Sequence, residues 1–544
     1  MNRPRSAMIR QIRRIARERM GYTKLHSGQE EALQHLLVGR DTLVVMPTGS
    51  GKSAIYQLAA VELAGPTIVV SPLIALQHDQ VDMINTELEV GEAAAVNSTL
   101  PERARAEALE GLQGQEVEFV FLAPEQLQNP EVLAELQQAR PSLFVVDEAH
   151  CISAWGHDFR PDYLRLKGVI ESLDHPAVLA LTATASPVVR DEIVERLGLR
   201  NPVVVVRGFD RPNIWLGVRI FSDEDAKTRA CLDEVVAAEK PGLLYVATRK
   251  HAEEMTAALV ERQVRAACYH AGMKAAAREQ VQTNFMAGDL EVVVATSAFG
   301  MGIDKADVRF VFHYEIPGSV DAYYQEIGRA GRDSAPARAL LFYRPEDLSL
   351  QRFFAAGGQL EPEQIEQLLT LVRQHTAPAS LEMLAEATAL SQTKLAMVLN
   401  RLEATGAIRI LPEGVVATTE QMEDGDAAEA AAQAHERHQR LQQSRVEMMR
   451  GYAELHDCRR EYLLNYFGEA YQAPCNACDN CEAGQVQEHA ERQPFPLNSR
   501  VVHTQWGVGL VMRYEGEKIT ILFDEVGYKT LALDIVLENA LLTP

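Results

Sequence analysis

The chain has no apolar run close to the ~20 residues a membrane span needs, and no basic, apolar and small-residue succession of a secretion signal opens it. Both absences predict a protein that stays in the cytoplasm. Cysteine is scarce, seven in 544 residues, which excludes a disulfide-stapled scaffold and fits a reducing compartment. Positive charge is short as well: 53 Lys and Arg stand against 76 Asp and Glu, for a net charge of -23. Taken as a sum, that argues against binding nucleic acid, where phosphate contacts dominate affinity. Distribution matters more than the sum. Arg3, Arg5, Arg10, Arg13, Arg14, Arg17 and Arg19 crowd the start, while acids gather between Glu420 and Asp426. The basic start reads as a solvated or docking helix, with an organelle presequence as the alternative. What the chain does have is 47% hydrophobic residues over a length that suits three or four domains.

The stretch that organises the rest is Met46-Pro47-Thr48-Gly49-Ser50-Gly51-Lys52-Ser53. It follows the apolar run Thr42-Leu43-Val44-Val45 and opens a helical pattern, the context of a phosphate-binding loop. Thr48 to Ser53 would cradle a polyphosphate with backbone N–H groups. Lys52 would reach the β- and γ-phosphates, and the Ser53 hydroxyl would ligate Mg²⁺. Met46 stands where the strict pattern has a small residue, and an ordinary Gly-rich turn is the plain alternative.

From residue 40 to about 345, apolar strands alternate with helical patterns in two successive series, which predicts two parallel-sheet domains in tandem. Their seam falls at Gly208-Phe209-Asp210-Arg211-Pro212-Asn213. After the strand Leu143-Phe144-Val145-Val146 comes Asp147-Glu148-Ala149-His150, at the strand end where such sheets hold ligands. Asp147 would hold Mg²⁺ and Glu148 would orient the attacking water. In the second series Arg329 and Arg332 are one helical turn apart, able to point at one spot as arginine fingers. Taken alone, either string is more simply a solvated surface; together they describe an ATP-hydrolysing cleft.

Over residues 8 to 350 these strings, in order and spacing, resemble superfamily 2 helicases, specifically the RecQ family. Tyr22 to Gln29 resembles the adenine-reading motif, implying that Tyr22 stacks on the base and Gln29 reads it. Ser71 to Leu76 and Ala123-Pro124-Glu125 resemble strand-contacting motifs, and Leu181 to Ala185 resembles the segment coupling hydrolysis to movement. Ala298 to Asp304 resembles a motif in which Asp304 approaches the ribose. Cys151 to Arg160 resembles the aromatic-rich loop of RecQ proteins, in which Trp155 and Phe159 stack on bases, with His157 and Arg160 beside them. The resemblance implies movement 3′ to 5′ on single-stranded DNA with separation of duplex DNA. Two departures stand out: Leu25-His26 replaces Phe-Arg, and Gly318 replaces a common basic residue.

Beyond residue 358, three helical patterns and a short hairpin predict a winged-helix-like unit. Residues 420 to 466 read as one long helix or two. Cys458, Cys475, Cys478 and Cys481, spaced C-x16-C-x2-C-x2-C, offer four thiolates for a structural Zn²⁺ site, with an iron–sulfur cluster as the alternative. This string also resembles the RecQ zinc module. The tail alternates like a small barrel, and His503-x-x-Trp506-Gly507-x-Gly509 resembles the Tudor-like C-terminal domain of UvrD/PcrA helicases, implying a protein partner such as RNA polymerase or a repair factor. The expected fold is thus α/β: two tandem RecA-like parallel-sheet domains (1–208 and 209–350), a winged-helix-like unit (358–420), a helical zinc-binding module (421–485) and a small Tudor/SH3-like β-barrel (495–544). The expected function is an ATP-dependent DNA helicase in repair or recombination, using ATP, Mg²⁺ and Zn²⁺ in a bacterial-type cytoplasm or nucleoid. The alternatives are a nucleic-acid-stimulated translocase without strand separation and a transcription-coupled adaptor.

Overall fold

The computed structural model describes residues 5–97, 100–114, 116–153, 160–300, 305–356, 362–375, 377–388, 390, 392–411, 414–417, 424–486 and 493–544. Trp155, His157, Phe159 and Asp304 lie outside the described residues. The chain divides into two compact units, one of residues 1–348, 448–499 and 512–517, the other of 349–447, 500–511 and 518–544.

The first unit contains two sheets. Thr42–Val45 (β1), Thr67–Val70 (β2), Ala93–Val96 (β3), Phe119–Leu122 (β4), Leu143–Val146 (β5), Ala177–Thr182 (β6) and Val203–Val206 (β7) form one, in the order β3-β4-β2-β5-β6-β1-β7 with the pairs parallel. Most of these strands are runs dominated by Val, Leu, Ile and Phe because helices cover both faces, with Thr42, Thr67 and Thr182 the buried polar residues at strand ends. Asp41 fixes the register at the opposite end from the site. Its buried carboxylate accepts from the N–H of Val178 at 3.0 Å, the N–H of Arg200 at 2.6 Å and His175 Nε2 at 2.9 Å. One short side chain thereby anchors the chain at the entries to β1, β6 and β7.

Ile214–Ile220 (β8), Gly242–Tyr245 (β9), Ala266–Tyr269 (β10), Val292–Ala295 (β11), Phe310–His313 (β12) and Ala337–Tyr343 (β13) make the second sheet, also parallel, in the order β10-β11-β9-β12-β13-β8. These are the two tandem parallel-sheet domains expected from the sequence. Beyond β9 and β12, the buried carboxylate of Glu315 accepts the Ala247 N–H at 2.6 Å and binds His251 Nδ1. It thereby ties two strand ends together.

In the second unit, Pro362–Gln374, Leu381–Thr388 and Gln392–Ala404 are helices, followed by the antiparallel hairpin Ile408–Leu411 (β14) and Gly414–Ala417 (β15). Leu368, Leu384, Val398, Leu402, Ile408 and Val415 share one core. This is the three-helix and hairpin pattern read from the sequence. Residues 424–466, of which 448 onward belong to the first unit, resolve into two helices, Asp424–Ala453 and Arg459–Tyr466.

The tail strands Arg500–His503 (β16), Gly507–Glu515 (β17), Lys518–Phe523 (β18), Gly527–Ala532 (β19) and Leu542–Thr543 (β20) form an antiparallel sheet in the order β19-β18-β17-β16-β20. The expected barrel closure is not among the pairings of the described residues. β20 has only two residues and pairs with β16, so β19 and β20 remain opposite edges. The His503 and Trp506 motif has a local explanation. His503 Nδ1 accepts from the N–H groups of Gln505 and Trp506 at 3.1 and 3.3 Å, and its ring stacks on Trp506 at 4.2 Å.

The Glu315 contact raises the pKa of His251 above its ordinary value, against the opposing effect of burial. A histidine pKa raised on folding stabilises fully below its unfolded value of ~6.5, and that contribution is lost as pH rises through the folded value. His251→Gln should therefore lower the thermal midpoint at pH 6, by about 1–2 °C for a partly exposed pair in a chain this size. By pH 9 the difference from the parent should vanish; an equal loss at both pH values would show that the ion pair is not its source.

Candidate nucleotide site and zinc centre

The loop after β1 takes its curvature from Gly49 and Gly51, at φ +78° and +70°. Lys52 Nζ donates to the carbonyls of Met46 and Pro47 at 3.1 and 3.2 Å, so the lysine lies folded over its own loop. Its pKa is lowered, chiefly by burial, with Asp147 and Glu148 opposing the shift and Arg332 reinforcing it. Gln29, on the helix Ser27–Leu36, uses both ends of its amide. Its Oε1 accepts the His26 N–H at 2.8 Å, and its Nε2 donates to the carbonyls of Ser50 at 3.2 Å and Gly51 at 2.8 Å. Tyr22 is half-buried against the first domain's core. Met46 also has a physical reason. It is buried beside Gly28, where a Cβ would come within 2.9 Å of its sulfur, so a large side chain here is matched by a missing one.

Asp147 and Glu148 leave the end of β5. Glu148 adopts a left-handed conformation, φ +47°, uncommon for a residue with a Cβ and characteristic of functional turns. The Tyr163 hydroxyl donates to the Asp147 carbonyl at 3.0 Å, and the Glu148 N–H donates to Asp147 Oδ1 at 3.0 Å. Burial, then Glu148, pushes the Asp147 carboxyl up to about 7, against the pull of Lys52. His150 Nδ1 lies 2.9 Å from Thr182 Oγ1 and 3.2 Å from Glu148 Oε2, while the Thr182 carbonyl accepts the Met46 N–H at 3.1 Å. A continuous path thus joins the carboxylates to Leu181–Ala185 and back to the phosphate loop. His150 and Thr182 were not singled out from sequence, although each sits inside a motif that was.

The two arginines have different partners. Their helix, Val320–Ile327, ends before either of them, so helical spacing no longer sets their directions. Arg329 turns inward, is buried, and donates to the Gly300 carbonyl. Arg332 instead crosses to the first domain, where a Cβ added to Gly49 would meet its Cγ and Cδ at 3.2 Å. Of the aromatic-loop candidates Trp155, His157, Phe159 and Arg160, Arg160 is the one among the described residues; its Nη1 donates to the Pro72 carbonyl at 3.0 Å, within the Ser71–Leu76 string. Ser53 opens the helix Ser53–Glu62 directly after Lys52.

Cys458, Cys475, Cys478 and Cys481 bring their sulfurs within 4.8 Å of one another. The Cys475 and Cys481 sulfurs are 3.8 Å apart, close to the ~3.8 Å edge of a tetrahedron with ~2.3 Å zinc–sulfur bonds. The Ala477 N–H donates to the Cys475 sulfur at 3.4 Å, the outer-shell contact expected of a metal thiolate. The donor set therefore fits a closed structural zinc. The loop that carries it also covers a sheet edge: Leu216 N–H of β8 donates to the Ala477 carbonyl at 3.1 Å, and Val218 N–H donates to Asp479 Oδ2 at 2.8 Å.

Residues 26–192 match the DEAD/DEAH box helicase family, 226–334 the helicase conserved C-terminal domain, and 415–482 the RecQ zinc-binding domain. Probable ATP-dependent DNA helicase RecS of Bacillus subtilis is 40% identical over 354 residues, 65% of this chain and 70% of that protein. This chain belongs to the RecQ family of helicases. ATP-dependent DNA helicase RecQ of Haemophilus influenzae is 36% identical over 464 residues, 85% of this chain and 62% of that relative, so the chain spans about three fifths of that protein's length. The helicase MrfA bound to DNA shares the fold, with a TM-score of 0.53 at 17% identity over 77% of this chain and 63% of that one.

For this RecQ-family chain, the four thiols should bind one zinc ion. Cys478→Ser should release it and destabilise the module together with its cover over β8. Metal analysis of the intact chain checks this, and a parent protein without zinc would contradict the site.

Proposed function

We propose that the chain is an ATP-dependent DNA helicase that moves 3′ to 5′ along a single strand and separates duplex DNA. The observation that carries this reading is the meeting of Lys52, Asp147, Glu148 and Arg332, contributed by two domains, around one phosphate loop. In the reaction, Lys52 exchanges its loop carbonyls for the β- and γ-phosphates. Glu148 orients the attacking water, and Arg332 meets the charge that develops on the transferred phosphoryl group. Ser53 and Asp147 offer hard oxygen donors of the type Mg²⁺ takes and would hold it; the ion supplies charge neutralisation for the phosphates. Tyr22 and Gln29 take the adenine, with Asp304 at the ribose. Arg329, bound to Gly300, serves the cleft by holding the second domain's own loop rather than by reaching the phosphates.

Trp155, His157, Phe159 and Arg160 form the single-strand contact that reports DNA to Glu148, a few residues away in sequence. The C-terminal antiparallel sheet is a docking element for a protein such as RNA polymerase or a repair factor. DNA as substrate supports a cytoplasmic or nucleoid setting.

Strand separation on duplexes with a 3′ or a 5′ single-stranded tail, run beside ATP hydrolysis, tests the reading. The expected result is unwinding of the 3′-tailed substrate, abolished by Lys52→Ala; strong DNA-stimulated hydrolysis without unwinding would leave only a translocase. Trp155→Ala should keep basal hydrolysis while losing about tenfold or more of the DNA stimulation. Stimulation at the parent level would sink the sensor role.

A further inference from the structure

The link between β7 and β8 reads from sequence as a plain seam. In the structure its polar side chains are committed to particular partners. Arg211 Nη1 donates to the Gly328 carbonyl at 2.9 Å, and its Nη2 donates to the carbonyls of Ala330 at 2.6 Å and Gly331 at 3.0 Å. Asn213 Nδ2 donates to the carbonyls of Gly331 at 2.8 Å and Ala335 at 2.9 Å. Those carbonyls belong to the turn that carries Arg329 and Arg332. The approach is close enough to require glycine: Gly331 has φ +55°, and a Cβ there would lie 2.4 Å from Asn213 Nδ2. Burial lowers the Arg211 pKa. This half-buried guanidinium offsets its lost hydration with hydrogen bonds to three carbonyls, and its planar, fixed set of donors suits holding the turn in one place.

The same link is gripped from its other side. Asp210 pairs with Arg460 of the zinc module at 2.5 Å, and Arg460 also donates to the Ile214 carbonyl at 2.7 Å. Phe209 stacks on Phe467 at 4.8 Å, its carbonyl accepts from the Tyr324 hydroxyl at 2.5 Å, and Arg190 of the first domain donates to the Phe467 carbonyl at 2.5 Å. The Arg190 guanidinium also lies over the Phe209 ring at 5.6 Å, so adjacent residues of one short link contact the first domain, the zinc module and the turn bearing Arg332.

We propose that Arg211 is a positioning residue for hydrolysis. It sets where Arg332 stands against the phosphate loop, and through its neighbours Asp210 and Phe209 it makes that position depend on the interdomain link and the zinc module. This rests on the reading of Arg332 as the group that meets the phosphoryl charge.

The test is ATP turnover by the full-length holoprotein with saturating single-stranded DNA, using Arg211→Ala in the parent and in an Arg332→Ala background. Single-turnover hydrolysis of labelled ATP covers the slow variants, and zinc content is measured throughout. Arg211→Ala should lower kcat about tenfold or more, leave the ATP KM within about twofold and keep the zinc; in the Arg332→Ala background it should remove less than about twofold further. An unchanged kcat, a KM that rises by the same factor, or the full loss persisting without Arg332 would overturn the proposal. Should Arg211→Ala fail to accumulate, Arg211→Lys, which keeps the charge without the fork, decides by the same comparison, with about a threefold loss of kcat expected. Arg332→Ala with parental turnover would refute the finger reading instead, so the two failures are distinguishable.

Discussion

The structure turns on one close approach, the side chain of Arg332 lying where Gly49 has no Cβ. Neither sheet alone makes a hydrolytic site. The first supplies a loop that can hold phosphates and a pair of carboxylates; the second supplies the positive charge that would act only when the two domains meet. On the proposed reading, such a division would make hydrolysis conditional on domain geometry, the physical requirement for turning chemistry into movement.

The parts closest to the chemistry were the most legible in the sequence. A phosphate loop needs glycines, a lysine and a hydroxyl within eight residues of a strand end, and a zinc site needs thiols at short intervals, so local spacing carries both. Strands buried on both faces announce themselves as runs of Val, Leu and Ile. The arginines show where this stops. A one-turn spacing implies a shared direction only while the helix continues, and the helix Val320–Ile327 ends before Arg329. Arg211 was invisible for a different reason: its acceptors lie more than a hundred residues further along the chain, and nothing local marks a half-buried guanidinium whose partners are carbonyls. The tail shows a third limit. Alternation identifies strands, but closure into a barrel depends on which edges pair, and among the described residues the pairings include β20 on β16 but none that closes the sheet.

Met46, a departure from the strict phosphate-loop pattern, and His26, a departure from the family's usual residue, also acquire physical meaning. Met46 at the head of the phosphate loop packs beside Gly28, so the bulk of one residue is accommodated by the absence of a side chain on the other. His26 stands where an arginine is usual, and its backbone N–H holds Gln29 against the loop. That function does not require a charged side chain. The acidic total of the chain is likewise no obstacle to a nucleic-acid role, because contact depends on local surface and stacking rather than on the sum of charges.

Completion of hydrolysis across the domains by Arg332 can be measured by comparing Arg332→Ala with the parent for nucleotide affinity and for kcat under saturating single-stranded DNA. ATP binding should stay within a few-fold of the parent while kcat falls by about 10³-fold, the scale of a lost arginine finger. Turnover at the parent's rate, with Arg332 gone and the fold intact, would contradict it.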